Sequence, residues 1–385
     1  MAGARWFATA TVALLLVTAI ACGDGEGSTE PTTTGTVEVD ATTSGDTLDT
    51  DGYVVSLEGA GDQSVDPDGS VIFEDVSEGS FELSISEIQS NCELAGDNPR
   101  TVDVSAGETT SETFDVTCQA ALVGRLVFTS QRSGNSDIWV MDPDGSELHQ
   151  LTDDPASDFQ PSASPDGTRI AFASRRTGEL EIWVMGPDGS GLEQLTEETG
   201  VLPAWSPDGS RIVFTSHRTG DAEIWVMDAD GSAQERLTDD EAVDQTPAWS
   251  PDGSRIAFAS DRTGDMEIWL MDPDGSNLEQ LTDDAAFDSS PTWSPDGSQI
   301  AFSRYEGETG QIWVMDADGS ALEQLTDDPD LDDDPAWSPD GARIAFSRSE
   351  GDLSEVWVMD ADGSGPEPLT DDPAYDWQPS WSPSR

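Results

Sequence analysis

The chain has 385 residues, enough for two or three domains, and carries 79 acidic against 16 basic side chains, every basic one an arginine, for a formal net charge of −63. Such a charge repels phosphate backbones and anionic lipid surfaces, which excludes nucleic-acid binding and adsorption of the folded body to a membrane. The carboxylate excess suits a soluble exported protein and, equally, salty surroundings whose ions screen charge over about 3–10 Å.

Arg5 gives a positive start, Ala8 to Val17 form an apolar run, and the small residues Ala19 and Ala21 flank Ile20. The run falls short of the roughly 20 residues that span a bilayer, so residues 1–21 read as a signal peptide. The Ala-Ile-Ala-Cys end resembles the lipobox of bacterial lipoproteins, which implies acylation of Cys22; ordinary cleavage after Ala21 is the alternative. Residues 22–36, rich in Gly, Ser and Thr, form a flexible tether. The expected location is the cell envelope, on the periplasmic side of the outer membrane or at the cell surface, with the N-terminal lipid as the only membrane contact.

Residues 37–119 contain short runs of β-branched and alternating residues, VEV, YVVSL, VIF, FELSISEI, TVDV and TFDV, separated by turn clusters such as Asp66-Pro67-Asp68-Gly69. About seven such strands predict a small β-sandwich. The stretch NCELAGDNPRTVDVSAGET resembles immunoglobulin-like or carboxypeptidase-regulatory-like modules of bacterial envelope proteins. With Cys22 assigned to lipid, Cys92 and Cys118 are left as a pair, which in an exported protein favours a disulfide over free thiols. The role expected of this unit is a spacer.

Beyond residue 121 the chain repeats. Ile-Trp-Val-Met or a close variant begins at 138, 182, 224, 268, 312 and 356, and the proline of Ser-Pro falls at 165, 207, 251, 295, 339 and 383. The period is 44 residues with one step of 42, which means a solenoid or a propeller. Each unit reads as four strands, PAWS, RIAF, EIWVM and LEQLT, with Pro-Asp-Gly or Ala-Asp-Gly turns and no helical period. Four antiparallel strands per repeat make a blade. The repeat region starts on a second strand, at Leu126, and ends on a first strand, at Pro379 to Pro383. The predicted fold is therefore all-β: a six-bladed β-propeller over residues 124–385, closed by the C-terminal strand and preceded by the small sandwich.

The motifs PAWSPDGSRIAF, EIWVMD and LTDD, recurring in fixed order, resemble the TolB-type propeller repeat over residues 124–385. The resemblance implies six blades, agreeing with the independent count. It also implies a periplasmic setting and contact with protein partners, since TolB contacts a peptidoglycan-associated lipoprotein and an inner-membrane protein. TolB's α/β N-terminal domain is replaced here by the sandwich. The expected partner is thus an envelope protein or a peptidoglycan-associated one, bound by a monomer.

Candidate binding residues lie where second-to-third strand loops and inter-blade loops share one face. Acidic pairs follow the fourth strands: Asp153 and Asp154, Glu197 and Glu198, Asp239 and Asp240, Asp283 and Asp284, Asp327 and Asp328, Asp371 and Asp372. Arginines recur near them, at Arg132, Arg176, Arg218 and Arg262, and two positions earlier in the unit at Arg304 and Arg348. Two readings stand: ties between blades, or a charged rim that selects a basic or polar partner. The hairpins Asp142-Pro143-Asp144-Gly145 and Asp228-Ala229-Asp230-Gly231 have the oxygen chemistry of calcium ligands but lack the third acid and the bidentate Glu of a calcium loop, so they read as turns. No cofactor is expected, with calcium at these hairpins as the alternative. His149 and His217 stand at positions filled differently in other repeats, and no Gly-x-Ser-x-Gly elbow occurs. The leading expectation is a non-enzymatic binding scaffold. The alternatives are a channel-sited hydrolase or lactonase acting on a sugar or small ester, and a cation-dependent surface adhesion protein.

Overall fold

The computed structural model describes residues 33–45, 52–88, 91–118, 121–307, 309–351 and 353–383. Cys22, the signal peptide and most of the tether lie outside the described residues. The first strand begins at Thr34, three residues before the expected boundary at 37, because Gly35 packs against the backbone of the turn at Ser105 and Glu108.

Eight strands form the N-terminal unit: β1 (Thr34–Gly45), β2 (Tyr53–Leu57), β3 (Gly61–Val65), β4 (Ser70–Ser77), β5 (Gly79–Ser86), β6 (Cys92–Leu94), β7 (Arg100–Val104) and β8 (Thr109–Cys118). They make two four-stranded sheets, β4-β1-β8-β6 and β3-β2-β5-β7. Alternation places Val37, Val39, Phe114 and Val116 of one sheet against Val55, Leu57, Leu83 and Ile85 of the other in a shared core. Cys92 and Cys118 sit opposite each other on β6 and β8 and are disulfide-bonded; they span 26 residues of sequence.

Six further four-stranded sheets follow, five of them with their strands in sequence order from the ring axis outward. Blade two runs from Asp158 to Gln194, blade three from Val201 to Arg236, blade four from Asp244 to Gln280, blade five from Phe287 to Gln324 and blade six from Leu331 to Pro368. Blade one takes Leu126–Ser130, Asp137–Met141 and His149–Gln150 from the start of the repeats and Asp376–Trp381 from the end. The closing pair is antiparallel, Trp381 opposite Leu126 and Asp376 opposite Ser130. It is extended by Ser382 N–H to Arg125 O at 2.8 Å and Gly124 N–H to Pro383 O at 2.7 Å. Each innermost strand touches the next, and Asp376–Trp381 touches those of blades two and six, so the six sheets follow one another round a ring.

The seams carry the core. Every second strand contributes one fully buried phenylalanine: Phe128, Phe172, Phe214, Phe258, Phe302 and Phe346. Between blades two and three, Ile182, Val184 and Leu195 pack against Trp205, Ile212, Phe214 and Met227. Between blades one and two the same cluster recurs, except that Ala163 stands in the tryptophan position and Leu122, from the segment entering the propeller, fills the space. Leu122 is anchored there by its N–H to Gly167 O at 2.8 Å.

The Asp-Gly hairpins are seam contacts as well as turns. Gly231 has φ +82°, and a Cβ there would lie 2.7 Å from Leu195 O of the preceding blade, so only glycine fits. Their carboxylates are occupied locally. Asp208 Oδ1 accepts from Ser206 Oγ at 2.6 Å, Ser210 N–H at 3.0 Å and Ser210 Oγ at 2.8 Å, which holds its pKa down to about 2.

Candidate functional site

One mouth of the ring carries the inter-blade loops and the second-to-third strand hairpins, and there the six recurring arginines take up similar positions. Each guanidinium lies across the phenylalanine of its second strand and the tryptophan of its third, as Arg262 does over Phe258 and Trp269 at 5.4 and 4.9 Å. In five blades it meets a fully buried aspartate at the start of the innermost strand: Arg132 with Asp376, Arg176 with Asp158, Arg262 with Asp244, Arg304 with Asp288 and Arg348 with Asp332, at 2.5 to 2.9 Å. The second acid of the preceding loop joins in four of them, through Asp372, Asp240, Asp284 and Asp328. Asp154 instead accepts from Ala156 N–H at 2.8 Å. The first acids, Asp153, Asp239, Asp283, Asp327 and Asp371, point to solvent, although Asp239 pairs with Arg236 of its own blade. The predicted arginines and acids are thus brought together, but their most buried partners, the aspartates at 158, 244, 288, 332 and 376, were not singled out from sequence. In LTDD-x-x-x-Asp the last aspartate differs from its neighbours only in packing.

Further inside, every innermost strand carries an X-Pro step with a register shift, as at Phe159/Ser162 and Gln245/Ala248. The residue before the proline is left-handed in all six: Gln160, Leu202, Thr246, Ser290, Asp334 and Gln378, with φ from 52° to 56°. Proline has no N–H to lose from the ladder, so the bulge forms there. Strained non-glycine residues cluster where a fold positions groups for use. These bulges line a central cavity of about 190 Å³ walled by the six prolines. Gln160 Oε1 accepts from Leu202 N–H at 3.0 Å, Gln378 Oε1 from Gln160 N–H at 3.2 Å, and Asp334 Oδ1 from Ser290 Oγ at 3.2 Å. Asp334 is the one ionisable residue among the described residues lining this cavity. Burial, and next the charge of Asp333, push its carboxyl well above the usual range, against the Ser290 hydrogen bond.

A second cleft, of about 340 Å³, shares Asp334 with the channel and is also bounded by Asp333, Leu331, Ser349, Ser354, Tyr375 and Trp377. Tyr375 and Trp377 meet edge to face at 6.1 Å. Tyr305 donates to Asp333, and burial together with that carboxylate raises the phenol's pKa. Asp333 also accepts from the Asp334 N–H at 2.8 Å. Unlike the five buried seam aspartates, neither carboxylate has a cation at ion-pair distance among the described residues. Blades five and six differ from the others beside this cleft: their second and third strands lengthen to eight residues, as in Arg343–Glu350 and Leu353–Asp360. They expose Phe287 and Leu353, and Tyr375 is exposed nearby. Among the described residues, no group of three His, Cys, Asp or Glu side chains is arranged to hold a metal ion.

Six radial sheets of four strands around a proline-walled channel, closed by pairing of the repeat region's first and last strands, define a β-propeller whose recurring arginines and acids lie at one mouth. The chain belongs to the TolB β-propeller family, PD40: the TolB beta propeller domain matches residues 123–202, 196–282 and 265–385. Among solved structures it is similar to TolB from Acinetobacter baumannii, at 21% identity over 80% of this chain and 81% of that one, with a TM-score of 0.62. It is likewise similar to a TolB-designated protein of Agrobacterium tumefaciens, at 21% identity over 67% and 98% of the two chains, TM-score 0.54. A chain of a nidogen/laminin complex matches at 13% identity over 68% and 99%, TM-score 0.56. At these identities the likeness is one of fold. A search of curated proteins finds no match.

Proposed function

We propose that this protein is a non-enzymatic scaffold of the cell envelope, exported and lipid-anchored through Cys22, whose propeller binds a basic segment of a protein partner. The observation that carries the reading is the cleft at Asp333 and Asp334: two acidic side chains without a cation at ion-pair distance among the described residues, bounded by Tyr375 and Trp377. A lysine or arginine side chain brings the missing charge, and the aromatic rings suit its apolar stem and cationic head. The exposed first acids of the rim, Asp153, Asp239, Asp283, Asp327 and Asp371, add a field that draws a basic partner in. The six arginines and the second acids serve as the frame that fixes those loops. Membership of the TolB propeller family supports an envelope setting and a protein-binding role. Turnover of a sugar or ester inside the channel is less well supported, because about 190 Å³ lies below the roughly 300–1,000 Å³ of ordinary ligand pockets.

The test is capture of partners from envelope extracts by the folded protein and by Asp333→Asn. We expect a saturable partner whose affinity falls about tenfold in the variant, in line with loss of one desolvated charge pair, and falls again with added salt. A partner held equally by both forms would move the site elsewhere, and no saturable partner at all would remove the scaffold reading.

A further inference from the structure

Blade three breaks the arginine–aspartate pattern. Its step of 42 residues, against 44 elsewhere, comes from an inter-blade loop two residues shorter, Thr196-Glu197-Glu198-Thr199-Gly200. Gly200 therefore stands where five blades have a buried aspartate, and its N–H bonds Leu180 O at 2.9 Å just as the Asp244 N–H bonds Ala222 O. The arginine is kept. Arg218 remains 91% buried by side-chain surface, being 9% exposed, and lies 4.5 Å over the Trp225 ring. Its Nε donates to Ser216 Oγ at 2.9 Å and its Nη1 to Gln234 Oε1 at 2.5 Å. Glu198, mostly in solvent, approaches Nε at 3.4 Å. Nη2 is buried and has no hydrogen-bond partner among the described residues. In the other five blades Nη2 or Nε of the equivalent arginine holds the aspartate.

A buried guanidinium nitrogen without an acceptor is costly, and one that a repeat elsewhere always satisfies with a carboxylate is shaped for a carboxylate. We propose that the blade-three seam is a binding site for a single carboxylate supplied from outside the chain, which takes the place of the missing aspartate on Arg218 Nη2. The charge state of the ligand follows from the surroundings. Glu197 and Glu198 border the site, and the chain's net charge is −63, so phosphate or sulfate dianions are repelled more strongly than a singly charged carboxylate. Burial also depresses the Arg218 pKa, with Glu198 opposing it; a bound carboxylate removes that penalty.

Thermal melting of the full chain in sodium formate, against sodium chloride at equal ionic strength, reads the site directly. At several times Kd, formate should raise the melting temperature of the propeller by about 2–4 °C, and Arg218→Gln should abolish the difference between the two salts. In wild type, the Arg218 Nε–H signal in an arginine-labelled NMR spectrum should shift with formate and saturate. Replacing Glu197–Gly200 by the blade-four sequence Asp239–Asp244 supplies the carboxylate in cis and should remove the formate response while raising the starting melting temperature. A neutral peptide with one aspartate distinguishes sources: binding by both ligands points to a partner's side chain, binding by formate alone to a free small carboxylate. No formate-specific shift in wild type, or one that survives Arg218→Gln, overturns the proposal.

Discussion

Arg132 Nη2 lies 2.5 Å from Asp376 Oδ2 across 244 residues of sequence, so the first blade's hairpin is clamped to the last strand of the chain. The arginine is mostly buried, over Trp139 at 5.0 Å, and the aspartate is wholly buried. Breaking a buried pair from one side leaves a charge stranded. Asp376→Ala should therefore destabilise the propeller by about 3 kcal/mol, toward the lower end of the range for such pairs because Asp372 still reaches Arg132 at 3.0 Å. Asp371→Ala, one position from Asp372 and in solvent, should change stability by no more than about 0.5 kcal/mol. Urea denaturation of the two variants checks both.

The same seam sets a pH dependence. Burial raises the Glu355 pKa from 4.5 to about 7, with Thr370 lowering it and Asp376 and Asp372 adding to the rise. An acid whose folded pKa exceeds its unfolded one holds its proton more tightly when folded. Its contribution is present in full below about 4.5 and is lost as pH climbs through about 7. The turn aspartates act oppositely: Asp208, Asp252 and Asp296, held near 2 by serine hydrogen bonds, contribute above 3.8 and lose that contribution as pH falls toward 2. Melting temperature should accordingly peak on the acid side of neutrality, and Glu355→Gln should flatten the decline between about pH 5 and 8. An unaltered decline in that variant would locate the effect in the other buried acids.

Most of the architecture was legible because its signal is repeated. Six copies of Phe, Trp and Asp-Gly at a near-constant spacing specify strands, seams and turns, and the orphan strands at Leu126 and Trp381 announce the closing pair. The site was less so. Aspartates 153, 154 and 158 are alike as sequence, and only depth separates the exposed first from the wholly buried last. The bulges at Gln160, Thr246 and their equivalents could have been suspected from the recurring proline inside the first strand of each unit, since a proline within a strand marks a sheet edge or a bulge. The 42-residue step likewise announced a loop two residues shorter, with Gly200 where the other repeats have the last aspartate opposite Arg218. The cleft at Asp333 and Asp334 joins side chains of blades one, five and six, and no local pattern contains it.

In the N-terminal sandwich, the Cys92–Cys118 bridge ties β6 to β8, and Cys118 is buried in the core. Closing a loop of 26 residues restricts the unfolded chain by about 3–4 kcal/mol in the chain-entropy account. Reduction should lower the melting transition of this unit alone and leave the propeller transition, which contains no cysteine, unmoved. Calorimetry with and without reductant separates the two; a shift in both transitions would mean that the units unfold together.

Leu122 offers the last prediction, because it joins the two halves. Five blades place a tryptophan after the channel proline: Trp205, Trp249, Trp293, Trp337 and Trp381. Blade two has Ala163, and the vacated volume is taken by Leu122, 5% exposed, against Val127, Ile170 and Phe172. The entering segment is thereby fastened to the propeller. Leu122→Ala removes that contact and should cost about 2–4 kcal/mol, the range for a truncated core leucine. Because Leu122 N–H still binds Gly167 O, the backbone should stay seated and the loss should appear in the propeller's unfolding rate and melting temperature. Ala163→Trp alone should be worse, since the indole and Leu122 compete for one space, whereas the double variant Ala163→Trp with Leu122→Gly should recover much of the loss by rebuilding the seam found in the other blades. A double variant no more stable than Ala163→Trp alone would show that Leu122 does not occupy the tryptophan's place.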